Sequence, residues 1–154
     1  MKLTPAFISG IASGDIREVK QLDLSGKEIK EMDDISCCVE LKKLNLSKNQ
    51  LTKLYGIGFN KEITWLNVAS NRLSSLLGLQ MMTKVCGALF IQIVIPLIFP
   101  FSHIAKLVLN AGYNEIKQIE GLDGMTQLKA LMINNNKILR IEGLGMLREL
   151  NTLG

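Results

Sequence analysis

The chain has a single histidine, His103, which excludes a multi-histidine metal site and leaves little room for a Ser-His-Asp triad. Aromatic residues amount to 5 % and there are 3 prolines, so any core must be built from aliphatic side chains. Cysteine is scarce too. Cys37, Cys38 and Cys86 form an odd set with two adjacent members, a pattern that fits a reduced, intracellular chain rather than a disulfide framework. Charge of one sign is only slightly in excess, at +4, which makes no case for nucleic acid by itself. No G-x-x-x-x-G-K-[ST], H-E-x-x-H, G-x-S-x-G or paired-cysteine zinc spacing occurs, so the expectation is a protein that is not an enzyme and holds no cofactor or metal. What remains is 154 residues, 47 % apolar and 21 % charged, an ordinary mix for one folded domain.

That domain is repetitive. The stretches from Val19, Leu41 and Ile63 read VKQLDLSGKEI, LKKLNLSKNQL and ITWLNVASNRL, and a further one from Leu128 reads LKALMINNNKI. Numbering each from its first residue, apolar side chains recur at positions 1, 4, 6 and 11, then at 14 (Met32, Leu54, Leu76, Ile141) and 17 (Ile35, Ile57, Leu79, Leu144). The period is 22 residues, which is the leucine-rich repeat. Positions 4 and 6 lie two apart, so both side chains share one face of a short strand, and positions 3, 5 and 7 face the other way. One repeat cannot bury its own leucines. Stacking can, at roughly 1.5–3 kcal/mol for each. Position 9 is asparagine at Asn49, Asn71, Asn114 and Asn136, an amide that donates and accepts and so can satisfy backbone groups where the chain leaves the strand. Stacked repeats are expected to align these into a ladder, incomplete at the first repeat, where Lys27 stands. Glycine before position 17, in L-Y-G-I, L-L-G-L and I-E-G-L, predicts turns or 3₁₀ segments on the convex side. The expected fold is an α/β leucine-rich-repeat solenoid of about five repeats, with short parallel strands on its concave face.

The repeats are interrupted. From Val85 to Leu128 is 43 residues, 21 more than one period, and residues 85–105 carry no Asp, Glu, Lys or Arg. Counted back from Leu128, Asn114, Ile116, Ile119 and Leu122 fall at positions 9, 11, 14 and 17, so a fourth repeat resumes near Leu107–Leu109. Three readings of the apolar stretch compete. A transmembrane helix has the length but contains Pro96 and Pro100 and would split one solenoid across a membrane. An insertion loop would leave apolar surface uncovered. The preferred reading is a translated intron: Phe, Leu, Ile, Pro, Ser and Val have pyrimidine-rich codons, and the flanks rejoin in register. The expected organisation is an N-terminal cap segment at 1–18, repeats one to three at 19–84, the apolar insert at 85–105, and repeats four and five with the start of a sixth at 106–154. Thr4 before Pro5 reads as a helix N-cap within the cap segment. Leu150 to Gly154 begin a sixth repeat with no polar cap after it, which suggests a fragment or truncated product.

The 22-residue period with Gly-Leu or Gly-Ile at positions 16–17 resembles the SDS22-like class of leucine-rich repeats, over residues 19–84 and about 107–154. GLDGMTQLKALMINNNKI and LVLNAGYNEI look most like a larger intracellular member of that class. The resemblance implies a protein-binding scaffold in the cytoplasm or nucleus, with regulation of protein phosphatase 1 through its catalytic subunit as one role. Spliceosomal relatives imply an RNA–protein complex subunit as an alternative. A membrane adaptor anchored by residues 85–105 is another.

Binding is expected on the concave strand positions, which the core does not need. The candidates are Lys43, Asn45, Trp65, Asn67, Asn110, Tyr113, Met132 and Asn134. Trp65, the only tryptophan, falls at an outward position and is a residue type enriched among interface hot spots. Lys42, Lys43 and Lys48 form a small basic cluster suited to an acidic partner surface, while only Trp65 and Tyr113 could stack on RNA bases.

Overall fold

The computed structural model describes residues 1–12, 14–79 and 107–154. The apolar stretch 85–105, with Cys86 and His103, lies outside the described residues. Among the described residues no helix is long and apolar enough to cross a membrane.

The repeats build a parallel six-stranded sheet: β2 (Gln21–Asp23), β4 (Lys43–Asn45), β5 (Trp65–Asn67), β6 (Leu107–Asn110), β7 (Leu128–Met132) and β8 (Thr152–Leu153), each paired with the next. Register follows repeat position. Lys43, Trp65, Val108, Ala130 and Thr152 face one another in turn, all at position 3 of their repeats. The position 4 leucines behind them, Leu44, Leu66, Leu109 and Leu131, are fully buried. So are Leu24, Leu46, Val68 and Ala111 at position 6 and Ile29, Leu51, Leu73 and Ile116 at position 11. The core is thus a column of small aliphatic layers, each supplied by one repeat and closed by the next.

Among the described residues the convex side returns in turns rather than helices. Glycine at position 16 makes them possible. Gly56, Gly78, Gly121 and Gly143 all have positive φ, and a Cβ on Gly56 would overlap the Asp33 carbonyl of the preceding repeat. Here the backbones of successive repeats pass too closely for a side chain.

The N-terminal segment covers the first repeat. β1 (Lys2–Leu3) pairs in parallel with β3 (Glu31–Met32) in a separate two-stranded sheet. Helix α1 (Pro5–Ile11) opens where the sequence predicts it, with the Thr4 side chain accepting from the Phe7 N–H at 3.1 Å and proline in the first turn. Leu3 and Ile8 reach zero exposure in the same core as Ile29 and Met32. At the other end, Ile141 is 69 % exposed, because no repeat packs over it in this chain, and Leu139 is exposed like Lys30, Thr52, Ser74 and Lys117 at the same repeat position.

Candidate functional site: the concave face and its two amide rows

The position 9 asparagines form the predicted ladder behind the strand ends. Each takes a backbone N–H of the repeat before it and donates back to carbonyls of both repeats. Asn71 Oδ1 accepts from Leu51 N–H at 2.9 Å, while its Nδ2 donates to Leu46 O at 2.9 Å and Val68 O at 3.0 Å. Asn114 does the same with Leu73 N–H, Val68 O and Ala111 O, and Asn136 with Ile116 N–H, Ala111 O and Ile133 O. Asn49 also bridges the gap left by Lys27, accepting from both Lys27 N–H at 3.0 Å and Ile29 N–H at 2.9 Å. These side chains are 7–8 % exposed at Asn49, Asn71 and Asn114, so they serve the fold and present nothing to a partner.

A second row lies on the concave face. Asp23, Asn45, Asn67 and Asn110, all at position 5, each accept the N–H two residues on, from Ser25, Ser47, Ala69 and Gly112, at 2.9–3.1 Å. These are Asx turns that end the strands. Asn45, Asn67 and Asn110 thus each carry one structural bond through the carbonyl oxygen while standing half-buried on the concave face, where the sequence places them. Position 5 repeats as Asp or Asn four times in the sequence, a signal from which these turns could have been read. Position 7 is covered at Ser47, which is 8 % exposed, and at Gly112, so it is not uniformly presented either.

What the concave strands do present centres on Trp65. It is half-buried on β5 between Lys43 of β4 and Val108 of β6. A hollow of about 300 Å³ opens beside it, lined by Gln21, Leu22, Asp23, Lys43, Asn45 and Trp65. Lys43 is exposed, as are Lys42 and Lys48, and none of them is in an ion pair among the described residues. Lys129, in contrast, is 3.5 Å from Glu149. Asp23 stays ionised, because the Ser25 N–H and hydroxyl hold its carboxyl below the usual carboxylate range. Met132 is half-buried on β7 and Asn134 exposed beyond it. Tyr113 does not stand on the strand. It sits at the bend after β6 with φ 55° and 58 % exposure, on the rim of the face. The structure thus brings Lys43, Asn45 and Trp65 around one hollow, with Met132 and Asn134 on β7 and just past it, and Tyr113 at the edge.

No nucleophile–base pair accompanies this hollow. Cys38 is fully buried, and burial, with Cys37 next to it, pushes its thiol up to about 12, so it is a packing residue at neutral pH. Among the described residues no group of three His, Cys, Asp or Glu side chains could hold a metal ion.

The solenoid architecture is shared with solved leucine-rich-repeat proteins. Internalin C2 of Listeria monocytogenes superposes with a TM-score of 0.70 at 21 % identity, over 97 % of this chain and 56 % of that one. A chain of the Drosophila melanogaster SNF/U2A′ complex gives 0.66 at 18 % identity, over 99 % and 83 %. A leucine-rich-repeat protein of Leptospira interrogans gives 0.61 at 19 %, over 89 % of this chain and 31 % of its own. The chain thus spans 56 % of the length of the internalin and 31 % of that of the Leptospira protein. No protein-family model and no curated protein matches the sequence. The fold is that of a leucine-rich-repeat solenoid.

Proposed function

We propose that this chain is a non-enzymatic protein-interaction scaffold whose partner seats on the concave face, with Trp65 as the anchor. The observation that carries this reading is the Trp65 hollow: the only tryptophan is half-buried on an open strand face, beside the unpaired ammonium of Lys43. A large aromatic ring spent on the concave surface contributes nothing to the leucine column behind it, and such rings are frequent interface anchors. A protein partner is also in keeping with the Drosophila neighbour, whose structure is that of a protein complex.

The SDS22-like spacing makes the catalytic subunit of protein phosphatase 1 the first partner to test, in the cytoplasm or nucleus. Titration calorimetry of the chain with that purified subunit is the direct measurement. The expected outcome is binding that falls about tenfold or more in Trp65→Ala, with an unchanged circular dichroism spectrum. If the subunit does not bind, the phosphatase reading fails. If it binds equally well after Trp65→Ala, Trp65 is not the anchor.

A further inference from the structure

Strand β2 ends the sheet, with no described strand on its outer side. Which of its backbone groups face outward follows from the next repeat. There, β4 meets its predecessor through Lys43 N–H, which donates to Lys20 O at 3.1 Å, and through Asn45 O and Ser47 O, which accept from Leu24 N–H at 2.8 Å and Gly26 N–H at 3.0 Å. One repeat earlier the same positions are Gln21 N–H, Asp23 O and Ser25 O, so these three point to the open edge. An open strand edge is a template for another strand.

The N-terminal segment does not fill this edge. It closes the core behind it: β1 pairs with β3, and Leu3 and Ile8 are fully buried. Between α1 and β2 a cavity of about 600 Å³ remains, with half-buried Val19 and Leu22 and the exposed side chain of Ile11 among its apolar lining. That leaves room for a single extended segment. Its charges are uneven. Among the described residues Glu18 and Asp23 line the cavity without a direct ion pair, against one such cation, Lys27, whose charge acts on Asp23 from a distance; Lys20 sits 3.6 Å from Glu40, and Asp15 is held by Arg17.

We propose that the β2 edge, which shares Gln21, Leu22 and Asp23 with the rim of the Trp65 hollow, is a second docking site that takes an extended peptide of alternating apolar and basic residues as an added strand. Along β2 the side chains alternate, with Gln21 and Asp23 exposed and Leu22 half-buried. A residue of the added strand beside Leu22 points to the apolar floor, and its neighbour beside Asp23 points outward to the carboxylate. An apolar residue next to a basic one satisfies both.

The test uses the whole chain and a fluorescent synthetic peptide of alternating valine and lysine, with an alternating valine and glutamate peptide as the control. The valine–lysine peptide is expected to bind, and its addition to slow hydrogen exchange at the Gln21 amide. Gln21→Pro removes that donor without touching a bond to β4, and is expected to weaken binding about tenfold. Asp23→Asn keeps the Asx turn, as the asparagines at the same position in later repeats show, and removes only the charge; binding is expected to weaken severalfold and to lose part of its salt dependence, the rest belonging to Glu18. Equal binding of the glutamate peptide, no binding of the lysine peptide, or an unprotected Gln21 amide in the complex overturns the proposal. So does a dimer in sedimentation that the peptide fails to dissociate, since a second copy then occupies the edge. If Gln21→Pro does not fold, the exchange measurement and Asp23→Asn still decide the outcome.

Discussion

The side-chain amide of Asn114 donates to the carbonyl of Val68 at 3.0 Å, although 46 residues separate them. The equivalent bond spans 25 residues at Asn49–Leu24, at Asn71–Leu46 and at Asn136–Ala111. The return bond behaves alike: Leu73 N–H reaches Asn114 across 41 residues, where Leu51 N–H reaches Asn71 across 20. Both separations are 21 residues longer than the rule, and the solenoid is continuous across the difference, with β5 and β6 paired position for position.

Deleting residues 85–105 should therefore leave an unbroken 22-residue series and a folded protein. The deleted variant is expected to keep its circular dichroism spectrum and to melt at or above the temperature of the intact chain. Loss of cooperative melting would mean that these residues are needed for the fold.

The asparagine ladder should be costly to break. Asn71→Ala leaves Leu51 N–H without its partner and takes one of two asparagine donors from the Leu46 and Val68 carbonyls, which keep Asn49 and Asn114. One unsatisfied buried donor costs about 1–3 kcal/mol, so a loss of that size is expected in urea unfolding. Asn134→Ala, at an exposed position in the fifth repeat, is expected to change stability by less than about 0.5 kcal/mol.

Gly56 and Gly145 test the convex turns. Gly56→Ala places a Cβ against the Asp33 carbonyl at φ 79°, and should destabilise by about 2 kcal/mol or more. A Cβ on Gly145 meets nothing within 4 Å, so Gly145→Ala should be neutral within about 0.5 kcal/mol. Equal effects in thermal melts would show that close passage of the repeats is not what position 16 requires.

Ile119 and Ile141 occupy the same repeat position, 14, but are 5 % and 69 % exposed. Ile119→Ala should cost about 2–5 kcal/mol as a core truncation. Ile141→Ala should cost less than about 0.5 kcal/mol, because the side chain has no covering repeat to lose. Denaturant midpoints of the two variants measure the contrast directly.

Much of this molecule was legible in one dimension. A strand side chain alternates faces every second residue, so Leu44 and Leu46 could be assigned to the core and Lys43 and Asn45 to the opposite face from spacing alone. Repetition did the rest: a position that works in one repeat meets the same neighbour in the next, which is why the ladder at Asn49, Asn71, Asn114 and Asn136 was readable. The helix start at Thr4 was readable because capping is local chemistry. Tertiary structure decided what depends on a neighbour that differs between repeats. Ile141 has the composition of a core residue and the surroundings of a surface one, and Leu22 is half-buried where Leu44 is fully buried, because burial belongs to the stack and not to the residue. The pairing of β1 with β3 joins segments with no repeat in common, so no periodicity announced it. That pairing shields the core of the first repeat and leaves the backbone of β2 open at its side, and only the folded chain shows the two together.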